Sequence, residues 1–90
     1  MAISEADYAA EIGETYIGVR GAGFNLSAAD VEQIDAWFSA GVPLHIPLAV
    51  LSEVGERRRQ SGGRVRSLAY VKEEVAARFA EWKEMRVGAR

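Results

Sequence analysis

Arg57, Arg58 and Arg59, followed by Arg64 and Arg66, place five guanidinium groups within ten residues, around the turn Ser61-Gly62-Gly63. A guanidinium is planar, permanently charged and forked, so it can bind phosphate or carboxylate oxygens two at a time. Carried on a glycine-rich loop, such groups suit a nucleic-acid backbone. Tyr70, three residues past Ser67, offers a ring on which an unpaired base can stack. Each feature also has a plainer reading. Cations gather at a helix end because they favour the negative end of its dipole, and a tyrosine at that spacing fits the edge of a core.

Other chemistry is absent. His45 is the single histidine. It stands between Leu44 and Ile46 with no second ligand and no nucleophile near it, and reads as a half-buried or rim side chain at a helix start. Glu73 and Glu74 are adjacent on a helical pattern and point in different directions, so they are not an acid–base pair. With no cysteine, disulfides and thiolate metal sites are excluded. Gly21-Ala22-Gly23 opens like a dinucleotide-binding loop, but the third glycine and a preceding strand are missing. The expectation is a binding module: no enzyme, no cofactor, no metal and no evident small-molecule substrate.

Ninety residues, about half of them apolar, make one domain with an adequate core. No basic-then-apolar signal and no apolar run near ~18 residues is present. A cytoplasmic protein with no membrane role is therefore expected, and the sequon at Asn25-Leu26-Ser27 reads as chance. The small net charge of −2 hides a split: residues 1–56 carry nine acids and one base (Arg20), and residues 57–90 carry ten bases and four acids. Either the two halves fold together and their charges partly cancel, or the split survives as a dipolar surface. Such a surface would dock a charged protein partner or a second copy of the chain.

The elements that must position these groups follow from periodicity. Ser4 caps a first helix over 4–20, with Tyr8, Ile12 and Tyr16 on one face and Gly13 marking close packing or a kink. Ser27 caps a second helix over 27–40, with Asp30 completing a capping box, Gly41 as the stop, and Val31, Ile34, Trp37 and Phe38 as its apolar stripe. Phe24 is placed to staple onto Val31 or a neighbour. A third helix over 44–60 must accommodate Pro43 and Pro47, by an irregular or 3₁₀ first turn or a start near Ile46. Leu48, Leu51 and Val54 line its apolar face, with Val50 beside them. Ser67 caps a last helix over 67–84, whose seam is Leu68, Val71, Val75, Phe79 and Trp82. Four helices, short connections and no alternating strand give an all-α, single four-helix domain.

The run Leu26-Ser27-Ala28-Ala29-Asp30-Val31-Glu32-Gln33-Ile34-Asp35-Ala36-Trp37 resembles, in register, the Leu-Ser-Pro-x-Glu-x-Glu-x-Ile-x-x-Trp run in the C-terminal domain of the DnaD/DnaB helicase-loading proteins of bacterial replication initiation. Gly41 through Val54 is similar to that family's next helix, and Tyr70, Val75 and Trp82 resemble its closing helix at a different spacing. Ala28 replaces the family's proline, the loop before Leu26 is longer, and the family's N-terminal winged-helix domain has no counterpart. The resemblance implies a DnaD-like helical domain that binds single- or double-stranded DNA, or contacts replication proteins. The family's DNA-contacting positions in its closing helix fall on Tyr70 and Lys72.

Overall fold

The computed structural model describes residues 3–20, 26–63, 65 and 67–88. Four helices succeed one another: α1 (Glu5–Arg20), α2 (Ala28–Ala40), α3 (His45–Gln60) and α4 (Lys72–Gly88), the last entered through a 3₁₀ turn at Leu68–Val71. There is no strand among the described residues. The architecture is the all-α four-helix domain that the periodicity implies.

Local chemistry sets the helix ends. At α2 the Ser27 hydroxyl accepts from the Asp30 N–H at 3.1 Å, and the Asp30 carboxylate accepts from the Ser27 N–H at 3.1 Å, a complete capping box. Gly41 ends the helix at φ +80°. Its N–H donates to the Phe38 carbonyl, while the Val42 N–H reaches back to Trp37, which satisfies carbonyls left without helical partners. At α3 the Ile46 N–H closes a short turn onto the Pro43 carbonyl at 3.1 Å. Pro47 is then the third helical residue, where a missing N–H removes no helical bond and the carbonyl four back lies outside the helix.

The core takes Tyr8, Ile12 and Tyr16 from α1, Ile34 and Trp37 from α2, and Ile46, Val50, Leu51 and Val54 from α3. Val65, Leu68, Val71 and Val75 close it. Two expectations fail here. Val31 is 46 % exposed rather than in the core, because the α2 face that buries Ile34 and Trp37 turns it outward; the Phe24 staple proposed for it lies outside the described residues. Ser67 makes no side-chain cap: the chain enters the last helix through a 3₁₀ turn, with the Tyr70 N–H on the Ser67 carbonyl. Gly13 is buried, and a methyl there would meet only Leu26 Cδ1 at 3.4 Å, an ordinary contact, so packing does not by itself require this glycine.

The cap that Ser67 does not supply comes from α2. Asp30 is 2 % exposed, and its second carboxylate oxygen accepts the Leu68 N–H at 3.0 Å. One buried carboxylate thus starts α2 and anchors the turn leading into α4.

Tyr8 ties α1 to the loop after α2. Its hydroxyl donates to the Val42 carbonyl at 2.8 Å, and its ring meets Phe38 edge-on at 5.2 Å. Burial pushes its pKa from 10.0 up to about 12, and burial also raises that of Tyr16. A tyrosine that ionises later in the folded chain stabilises it fully below pH ~10, and this contribution is lost as the pH rises through about 12. Tyr8→Phe is expected to cost about 0.5–1.5 kcal/mol at neutral pH for the missing hydrogen bond. The urea midpoints of wild type and variant should then converge as the pH rises from ~10 towards ~12. A gap that stays constant over that range would contradict this.

Candidate nucleic-acid interface

Arg57, Arg58 and Arg59 form the last turn of α3. The helix ends at Gln60, and Gly62, at φ +83°, turns the chain just beyond it. The Gly62 N–H bonds the Arg59 carbonyl at 3.1 Å and the Gly63 N–H bonds that of Arg58 at 2.7 Å, while the Ser61 hydroxyl donates to the Arg57 and Arg58 carbonyls. The terminal carbonyls are thereby satisfied and the turn is fixed. The chain then runs to the buried Val65 and Leu68, which brings Tyr70 and the start of α4 beside the end of α3.

The arginines do not act as one cluster. Arg58 lies with its guanidinium carbon 5.3 Å from the Tyr70 ring centroid. A methyl on Gly63 would come within 2.8 Å of Arg58 Nη2, so the group is held between that glycine and the tyrosine ring. Its Nε is buried without a hydrogen-bond partner. Arg57 is exposed, and neither it nor Arg58 has a carboxylate partner among the described residues. Arg59 points elsewhere. It pairs with Glu56 and lines a separate cleft of about 300 Å³ with Gly18, Val19 and Gly55. Arg64 and Arg66 lie outside the described residues. Lys72 is exposed as the first residue of α4 and does not line the cleft that holds Arg57 and Arg58. Tyr70 is 53 % exposed, a surface ring rather than a core-edge one.

That cleft has a volume of about 430 Å³ and is lined by Val54, Arg57, Arg58, Ser61, Tyr70, Glu73 and Glu74. Val54 is its buried apolar floor. One wall, from α3, is cationic; the other, from the first turn of α4, carries carboxylates. Glu74 is engaged by Arg78 at 3.2 Å, whereas Glu73 has no partner among the described residues. Sequence reasoning did not place Glu73 and Glu74 in this site. The signal was available, since they stand three and four residues after Tyr70 and share its helical face.

Behind this cleft, Arg78 grips Glu53 with both terminal nitrogens, at 2.5 and 3.0 Å, and fastens α4 to α3. Hydrogen bonds from Arg78 hold the Glu53 carboxyl below its usual range, and the same bonds push the Arg78 guanidinium upward. All the ion pairs among the described residues belong to α3 and α4. Glu5, Asp7, Glu11, Glu14, Glu32 and Asp35, on α1 and α2, are exposed and form none. Two of the ion pairs, Glu53–Arg78 and Glu56–Arg59, join the acidic residues 1–56 to the basic residues 57–90, while the carboxylates of α1 and α2 take no part in such pairing among the described residues.

His45 is exposed at the start of α3. Among the described residues no group of three or more His, Asp or Glu side chains is placed to hold a metal, and no helix is long and apolar enough to cross a membrane. No protein-family model, no curated protein and no solved structure matches this chain.

Proposed function

We propose that this domain is a nucleic-acid-binding helical module, of the kind the Leu26–Trp37 run resembles in the DnaD/DnaB primosomal family, working in bacterial replication in the cytoplasm. Its binding surface is the cleft between the end of α3 and the start of α4. The observation that carries the reading is the pair Arg57 and Arg58: two guanidinium groups on one wall of a cleft, neither with a carboxylate partner among the described residues. Guanidinium groups that make no direct ion pair keep their N–H donors available for phosphate oxygens, although Glu53, Glu56 and Glu74 lie near Arg57, and Arg58 is already fixed in place by Tyr70 and Gly63.

Fluorescence anisotropy with a labelled single strand and a labelled duplex tests it, from about 20 to about 150 mM salt. Binding should fall with salt and weaken about tenfold or more in Arg57→Ala/Arg58→Ala, with a salt slope shallower by about one unit for each phosphate no longer neutralised. Arg57→Ala alone, at an exposed position, should show part of the same loss with no change in folding. Absence of binding to both probes at the lowest salt would overturn the proposal.

A second reading, a protein-interaction surface or self-association, is favoured by one observation of its own. Six carboxylates of α1 and α2 that form no ion pair among the described residues are exposed, which suits a basic partner or the arginine-bearing end of a second copy.

A further inference from the structure

The carboxylate wall of the cleft is unexplained by phosphate binding alone. Glu73 lines the same cleft as Arg57 and Arg58, and among the described residues it forms an ion pair with neither. A phosphate bound by Arg57 would meet repulsion from Glu73 unless part of the same ligand donates hydrogen bonds to it. In a nucleotide those donors are on the base. A carboxylate has two oxygens side by side and is best matched by two adjacent N–H groups. Guanine alone among the common bases presents such a pair, the N1–H and the N2 amino group. Cytosine and adenine offer an amino group beside a lone-pair nitrogen that would repel the carboxylate. The single N–H of thymine is flanked by two carbonyls. In a duplex the guanine pair is already used by cytosine, so the edge is free only in an unpaired strand. The buried Val54 floor and the exposed Tyr70 ring supply the apolar surface against which a base can rest.

Resting on the nucleic-acid reading above, we propose that this cleft takes an unpaired guanine of a single strand, with Glu73 accepting from its N1–H and N2 amino group and Arg57 holding a neighbouring phosphate. Glu73 is then the specificity-determining residue, and Arg57 supplies affinity without choice of base.

Three labelled 12-mers test this by anisotropy: all thymine, thymine with two central guanines, and the same strand with hypoxanthine replacing guanine, which lacks the N2 amino group. The guanine strand should bind about tenfold tighter than the thymine strand, with the hypoxanthine strand between them. Glu73→Gln should reduce that preference below about threefold while leaving binding to the thymine strand equal or stronger, since a negative charge has been removed. Arg57→Ala should weaken all three alike. Equal binding of guanine and thymine strands by the wild type would overturn the proposal, as would a preference that persists in Glu73→Gln; both would leave the nucleic-acid reading standing. Free GMP displacing the probe as well as the guanine strand does would overturn the strand as ligand. Binding of none of the three would overturn the nucleic-acid reading and this proposal together.

Discussion

Asp30→Ala is expected to lower the unfolding free energy by about 2–4 kcal/mol, because three interactions converge on one buried side chain. The carboxylate closes the capping box with the Ser27 N–H, and loss of a cap costs about 0.5–2 kcal/mol. It also accepts the buried Leu68 N–H at 3.0 Å. That donor has no water to turn to once the carboxylate is gone, and an orphaned buried N–H costs about 1–3 kcal/mol. Finally, its burial at 2 % exposure means that alanine leaves a gap between α2 and the 3₁₀ turn. Asp30→Asn keeps the volume and one acceptor oxygen but turns an amide donor toward a backbone N–H, so it should fall between alanine and wild type. Urea unfolding followed by helical circular dichroism measures the change. A loss below about 0.5 kcal/mol for alanine would show that the hydrogen bond to Leu68 carries no energy.

Gly55→Ala should destabilise the domain by about 1–2 kcal/mol, although alanine is the better helix former by about 1 kcal/mol. A methyl on Gly55 would lie 2.6 Å from Val19 Cγ1 and 3.1 Å from Cγ2. Val19 is β-branched and stiff at χ1, so it cannot swing clear as a long side chain would. The remaining escape is to part α1 from α3, which opens the core around Tyr16 and Val54. Gly18, one residue before Val19, is the internal control. A methyl there meets nothing within 4 Å, so Gly18→Ala should stabilise by about 0.5–1 kcal/mol through helix propensity alone. Two glycine-to-alanine changes on facing helices therefore carry opposite signs. Equal effects of the same sign would contradict the close approach of α1 and α3.

These two positions mark how far the sequence can be read. The Ser27–Asp30 box and the Gly41 stop are visible because their chemistry is local: the partners lie within four residues of one another. The hydrogen bond from Leu68 to Asp30 is not, since it spans 38 positions and depends on how α2 meets the last connection. Gly55 carries no local signal in the sequence, and only the arrival of Val19 from α1 gives it a purpose. Val31 shows the reverse limit. It has the spacing of a core residue, yet apolar periodicity fixes the buried stripe only to within the width of one side chain, and packing set the stripe on Ile34 and Trp37 instead.

The candidate site divides the same way. Arg57, Arg58 and Tyr70 stand out by type, and the structure sets Arg58 against Tyr70 with Arg57 beside them. Arg59 is identical in type to its neighbours, but successive helical residues point about 100° apart, which carries it to Glu56 on another face. The carboxylates opposite follow Tyr70 at helical spacing, but that the cleft sets them against Arg57 and Arg58 was not legible, because its two walls come from different helices.

Amide chemical-shift mapping most directly tests whether this cleft is the binding surface. In ¹H–¹⁵N correlation spectra of the whole chain titrated with the guanine-containing 12-mer, shifts should concentrate on Arg57, Arg58, Ser61, Tyr70 and Glu73 and leave α1 unmoved. Shifts confined to the acidic face of α1 and α2, or shifts that follow protein concentration with no DNA present, would contradict it and place the working surface on protein contacts.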